Sequence, residues 1–257
     1  MKICKFFGLF VAVCAVVLSF SCGKSEGDAT KKPVLVMSTN AEFPPYKYVD
    51  EKGEFAGIDV EIMQNVCEQL GYELKIENIQ FDSIIPSLIS GKADIGVAGM
   101  TVTEDRRQNV DFTQTYVTTK QVVIVRAGSS IKSVADLKNK KIGVQSGTTG
   151  DIEATAIEGT KMERFQKGVE AVLALTQSKL DAVVIDEFPA QTFVKKIGEG
   201  KLVILDEAVV VEEYAMAVNK GNSVLLAKVN AAISDLKAAN KIQEITDKYN
   251  AMFLGEE

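Results

Sequence analysis

The segment Ala98-Gly99-Met100-Thr101-Val102-Thr103-Glu104-Asp105-Arg106 gathers several binding groups in one place. A strand that ends in glycine leaves its backbone open to close approach, the threonines add hydroxyls, and the planar fork of Arg106 matches a carboxylate. The competing reading of Arg106 is a surface ion pair with Glu104 or Asp105. Three further loops carry comparable chemistry. Thr39-Asn40-Ala41-Glu42-Phe43-Pro44-Pro45-Tyr46 holds two aromatic rings on a turn stiffened by two prolines, which reads either as a recognition loop or as a rigid turn with buried rings. Gln80-Phe81-Asp82 presents another ring, beside an aspartate that could cap a helix. Gln145-Ser146-Gly147-Thr148-Thr149-Gly150 is a strand-to-helix turn whose N–H groups suit an anion; no lysine follows its glycines, so it is not a Walker loop. Asp186, just after the apolar run Leu180 to Ile185, offers a carboxylate to a cation or a cap to the next helix. An anion grip, a cation grip and aromatic faces between them suit a zwitterionic amino acid.

These residues act together only if the elements before them end at one place. Val34 to Met37 reads as a short strand, and Ile58, Ile62, Val66 and Leu70 recur every four residues on a helix stopped by Gly71. Strand Tyr72 to Ile76, helix Asp82 to Ser90 and strand Asp94 to Val97 complete one alternating unit. A second unit runs from Gln121 to Val125 through a capped turn at Ser133 to Asp136, strand Lys141 to Gln145, helices near Asp151 to Glu158 and Val169 to Ser178, and strand Asp181 to Ile185. Leu202 to Leu205 and Ala215 to Val218 follow as strands, and two helices meeting at Asn240 close the chain. This alternation predicts an α/β protein with open sheets, whose ligands bind beyond the carboxyl ends of the strands. The four loops lie there.

Composition narrows the function. The chain has 257 residues, 46% hydrophobic and 25% charged, as expected of a globular protein large enough for two lobes. Histidine is absent, which removes Ser-His-Asp and Cys-His nucleophile systems and imidazole zinc sites. A net charge of −6 with no long basic run argues against a nucleic-acid partner. Lys2 and Lys5 precede an uncharged stretch from Phe6 to Phe20, the shape of an export signal over residues 1–21. Leu18-Ser19-Phe20-Ser21-Cys22 resembles a relaxed bacterial lipobox, so Cys22 is expected to carry lipid, with residues 22–32 as a polar tether. Only Cys67 then remains in the mature chain, on the apolar face of a helix.

Six segments in register resemble the periplasmic amino-acid-binding proteins of bacterial ABC importers, family 3 of the solute-binding proteins. They are Thr39 to Tyr46, Gly57-Ile58-Asp59-Val60, Phe81 to Leu88, Gly91-Lys92-Ala93-Asp94, Gly99 to Arg106 and Leu180 to Asp186. The resemblance implies a two-lobed, type II periplasmic-binding-protein fold with the ligand in a closing cleft. Lobe 1 would comprise 33–117 plus 212–257 and lobe 2 residues 118–211, joined by crossovers near Tyr116 to Lys120 and Ala208 to Tyr214. By the same resemblance Arg106 grips the ligand's α-carboxylate, helped by N–H groups of Thr101 and Thr149. Asp186, the Gly99 carbonyl and the Thr101 hydroxyl take the α-ammonium. Phe43 and Phe81 sandwich the side chain, Asn40 and Gln145 meet its tip, and Ala98 and Thr148 complete the lining. The implied function is capture of a polar or basic L-amino acid, arginine or lysine first and glutamine next, for delivery to an ABC permease. The protein would be monomeric, exported and lipid-anchored, with no catalytic residue, metal or cofactor. The alternatives are an exported dehydratase or lyase on the same fold, with Glu42 as its acid, and a sensing surface lipoprotein.

Overall fold

The computed structural model describes residues 31–255, so the export signal, Cys22 and most of the tether lie outside it. Strand β1 (Val34–Thr39) leads into a small antiparallel meander of β2 (Glu42–Phe43), β3 (Lys47–Val49) and β4 (Phe55–Ala56). Helix α1 (Ile58–Leu70) buries Ile58, Ile62, Met63, Val66 and Cys67 on one face and stops at Gly71, whose φ of 73° is the left-handed C-terminal turn that glycine favours. Each such buried aliphatic side chain contributes about 1.5–3 kcal/mol over an exposed one. Burial also pushes the Cys67 thiol up to about 11, so it behaves as a core residue. The start of α1 is fixed by Gly57, where φ is 121° and an added Cβ would lie 2.3 Å from the Tyr46 carbonyl oxygen. Only glycine lets the helix and the proline turn close on each other there.

β5 (Glu73–Asn78), α2 (Ile84–Ile89), β6 (Ile95–Gly96), α3 (Glu104–Arg107) and β7 (Val110–Phe112) continue the first lobe. The expected helix from Asp82 is a 3-10 turn over Phe81–Ser83 followed by α2, with Pro86 in the first turn of α2, where its missing N–H is not needed. Asp82 caps nothing; its carboxylate accepts from the Ser83 and Ser146 hydroxyls.

β8 (Val117–Arg126) crosses into the second lobe, which holds β9 (Lys141–Gln145), α4 (Thr149–Ala156), β10 (Lys161–Phe165), α5 (Gly168–Thr176), β11 (Ala182–Asp186), α6 (Glu187–Ile197) and β12 (Leu202–Ile204). β13 (Val210–Tyr214) returns, pairing antiparallel with the first half of β8 from Val210↔Gln121 to Tyr214↔Val117. β8 therefore starts four residues before the apolar run that announces it. Its threonine-rich opening is held by this pairing, with Val117 packed on the core and Thr119 buried. β14 (Ala217–Asn219) rejoins the first sheet, and α7 (Ser223–Ala238) and α8 (Lys241–Leu254) meet at Asn240, which takes the left-handed conformation.

The first sheet runs β5-β1-β6-β14-β7 and the second β10-β9-β11-β8-β12. β1 is parallel to β5 and β6, and β9 is parallel to β10 and β11. The carboxyl ends of β1, β6, β9 and β11 face a common cleft, each followed by one of the loops described above. Among the described residues no helix is long and apolar enough to cross a membrane.

Candidate functional site

The cleft closes over a small cavity lined by Phe43, Phe81, Ala98, Gly99, Thr101, Arg106, Gln145, Thr148, Thr149 and Asp186, together with Lys47. Ten of the eleven residues expected to bind the ligand thus converge. The eleventh, Asn40, stands behind Gln145, accepting a hydrogen bond from Gln145 Nε2 at 2.9 Å and donating to the Ile79 carbonyl at 3.1 Å.

Arg106 is presented by α3, one turn long. Thr103 caps it through a side chain that accepts from the Arg106 N–H at 3.2 Å. The guanidinium does not pair with Glu104 or Asp105; Arg107 takes Glu104, at 3.8 Å. Only 8% of Arg106 is exposed. Nη1 donates to the Thr101 carbonyl at 2.6 Å, Nη2 reaches the Gly147 carbonyl of the other lobe at 3.1 Å, and Cζ lies 5.4 Å from the centre of the Phe81 ring. Desolvation lowers its pKa, opposed by the charges of Glu212 and Asp186.

Asp186 ends β11, at the N-cap position of α6, yet its side chain makes no cap. The carboxylate instead accepts from the Tyr214 hydroxyl. Burial first, then the charge of Glu212, pushes it up to about 6. Glu212 lies one strand pitch from Tyr214 on the same inward face of β13, between the exposed Val211 and Glu213. It accepts from the Thr101 hydroxyl at 2.8 Å and from Gln121 Nε2 at 3.0 Å, and Gln121 also donates to the Thr149 hydroxyl at 3.3 Å. Crossover strands, helix α3 and helix α4 are thereby knitted around one charged cluster. The sequence Val210-Val211-Glu212-Glu213-Tyr214 shows no apolar–polar alternation that would mark this inward glutamate; its direction is set by the pairing Glu212↔Thr119 with β8.

Gly99 has a φ of 53°, and its N–H donates to Asp59 at 2.6 Å. Asp59, fully buried at the start of α1, also accepts from the Tyr116 hydroxyl at 2.6 Å. Desolvation raises its pKa against the pull of Lys47. Its role is to hold the Gly99 loop.

Lys47 is the residue the sequence reading lacks. It is the cross-strand partner of Phe43 in the β2–β3 ladder, so both side chains leave one face of the meander. Its Nζ sits 3.9 Å from the Phe43 ring centre and 3.2 Å from where a Cβ on Gly99 would stand. Burial pushes this ammonium down to about 8, while Asp59 and Asp186 act in the opposite sense. Two expected contacts are therefore changed. Phe43 and Phe81 each already have one of the chain's own cations against them, and the Asn40 and Gln145 amides are bonded to each other.

Glu42 lies outside the cavity, at the cleft rim, in an ion pair with Lys167 of the other lobe at 2.8 Å. It supplies no acid inside the cleft.

With this geometry in place, comparison with known proteins decides the family. Residues 35–252 match the bacterial extracellular solute-binding proteins, family 3. The chain belongs to that family. It is 36% identical over 231 residues to an L-arginine-binding protein of Pseudomonas aeruginosa, covering 86% of this chain and 89% of the relative. An ancestral arginine-binding protein bound to arginine superposes with a TM-score of 0.82 at 37% identity, covering 85% of this chain and 98% of the other. The same kind of ancestral protein bound to glutamine gives 0.78 at 36% identity, covering 88% and 99%. The fold is that of a type II periplasmic binding protein. The chain is an exported amino-acid-binding protein of ABC transport, a solute receptor and not an enzyme.

Proposed function

We propose that this solute-binding protein captures one polar or charged free L-amino acid between its lobes and delivers it to an ABC permease, working as a monomer tethered through lipid on Cys22. The observation that carries the reading is the pairing of a buried Arg106 with a buried Asp186 in one closed cavity. Arg106 takes the α-carboxylate, and Asp186 with the Gly99 carbonyl takes the α-ammonium, so the backbone of any L-amino acid is gripped at both ends. The lobes are 33–117 with 212–257, and 118–211, and the β8–β13 ribbon between them bends as the cleft closes. Arginine and glutamine both enter as ligands of the ancestral relatives, and either satisfies this backbone grip.

The test is calorimetry with the full-length protein, unfolded and refolded to strip carried-over ligand, against the twenty L-amino acids. One-to-one binding of one amino acid or a related group, weakened at least a hundredfold in Arg106→Ala, is the expected result. Folded protein that binds none of the twenty overturns the reading.

A further inference from the structure

Resting on that reading, we propose that Lys47 selects the ligand's side chain: the receptor takes an L-amino acid ending in a carboxylate or amide oxygen, the glutamate and glutamine class, in preference to arginine or lysine.

Three observations lead there. The first is the balance of charges lining the cavity: two cations, Arg106 and Lys47, against one carboxylate, Asp186. A zwitterionic backbone uses Arg106 and Asp186. Lys47 is left over: Asp59 and Asp186 lie close enough to act on its charge, but neither forms an ion pair with it. No ion pair within 4.0 Å and no hydrogen bond joins its ammonium to the chain among the described residues. Each nearby carboxylate is already engaged: Asp59 by the Gly99 N–H and the Tyr116 hydroxyl, Asp186 by Tyr214, and Glu212 by Thr101 and Gln121. An ammonium 2% exposed and without a partner is costly unless a ligand supplies an acceptor.

The second observation concerns the aromatic faces. A guanidinium or ammonium on the ligand is best held against an aromatic ring, yet the Lys47 Nζ already stands 3.9 Å from the centre of Phe43, and Arg106 covers Phe81 at 5.4 Å. A cationic side chain placed between these rings meets like charge from two directions in a water-poor cavity, where repulsion is weakly screened.

Third, nothing at the far end of the cavity compensates. Asn40 and Gln145 are neutral amides bonded to each other, and Glu42 is neutralised at the rim by Lys167. No free carboxylate awaits a ligand cation there, whereas three ammonium donors await an oxygen.

The cross-strand register with Phe43 holds Lys47 in place. Lys47 opens the three-residue strand β3 and is paired with Phe43 of β2, so its side chain follows Phe43 into the cleft.

The experiment titrates the refolded full-length protein with L-glutamate, L-glutamine, L-arginine and L-lysine, and repeats the series on Lys47→Ser and Lys47→Glu. Glutamate or glutamine is expected to bind at least tenfold tighter than arginine and lysine. Lys47→Ser should weaken the favoured ligand at least tenfold, and Lys47→Glu should turn the ranking over so that arginine or lysine binds tighter. Arginine bound more tightly than both glutamate and glutamine by the unmodified protein overturns the proposal while leaving the amino-acid receptor intact. Absence of binding by any amino acid overturns the receptor reading itself. If either variant fails to fold, the ranking on the unmodified protein decides alone.

Discussion

Burial pushes the Asp186 carboxyl up to about 6, and the charge of neighbouring Glu212 acts in the same direction. The folded protein therefore holds this proton more tightly than the unfolded chain, whose carboxyl titrates near the ordinary value of 3.8. Native Asp186 destabilises the fold once pH rises above about 6, and that cost fades as pH falls from 6 toward 4. A ligand ammonium removes the same cost. Asp186→Asn should accordingly raise the stability of the ligand-free protein at pH 7 by roughly 1–3 kcal/mol, while amino-acid affinity falls at least tenfold. Urea unfolding and calorimetry on the same preparation measure both. In the unmodified protein, affinity should decline as pH drops through about 6, because a protonated Asp186 no longer attracts the ammonium. A variant that is both less stable and unaltered in binding would show that Asp186 serves the fold and not the ligand. The legible part of the site is visible here too. Arg106 and Asp186 stand directly after strands, where sequence pattern and fold rule agree. Lys47 and Glu212 stand on short strands, with no motif around them, and their inward direction depends on pairings, Phe43↔Lys47 and Glu212↔Thr119, that only the assembled sheets define.

Elements on opposite sides of the cleft touch through a few polar contacts at its edge. Lys167, at the N-terminus of α5, pairs with Glu42 of β2 at 2.8 Å, and the Ser146 hydroxyl donates to Asp82 at 3.2 Å. The ion pair is partly exposed, with side-chain accessibilities of 39% and 34%, so it contributes no more than about 1 kcal/mol to the closed form and is screened by salt. Lys167→Met should lower ligand affinity about two- to fivefold in 20 mM salt, with the difference from the unmodified protein vanishing in 0.5 M sodium chloride. Calorimetry at the two salt concentrations measures it; an effect that persists at high salt would place Lys167 in direct ligand contact. At this scale most of the architecture is legible. Strand β9 and the paired helices α7 and α8 follow from apolar periodicity and from Asn240. The first half of β8 is legible only through the family resemblance, which places a crossover near Tyr116 to Lys120, because Val117 to Lys120 shows no core periodicity; what escapes is the cross-cleft latch, whose Glu42 and Lys167 are 125 residues apart.

Across the whole molecule, two sheets with separate hydrogen-bonded orders are joined covalently by only the paired strands β8 and β13. A core cluster does extend through both lobes, from Ile62 and Met216 in the first to Val183 and Phe193 in the second, so the lobes do not unfold as independent bodies. The cleft, by contrast, is closed by polar groups whose charges are mutually unbalanced, with Lys47, Asp59 and Asp186 all displaced from their ordinary titration by burial. A ligand that bridges the lobes and neutralises those groups binds the closed, folded form alone, so its stabilisation follows mass action. At a hundredfold excess over Kd this amounts to about 2.7 kcal/mol. For a chain of this size that corresponds to a rise in Tm of about 5–10 °C, growing further with ligand concentration. Scanning calorimetry with and without the bound amino acid should show one transition displaced upward by that amount, and Arg106→Ala should remove the displacement. Two separating transitions, only one of which moves with ligand, would mean that the amino acid is held by a single lobe and that the cleft geometry is not what retains it.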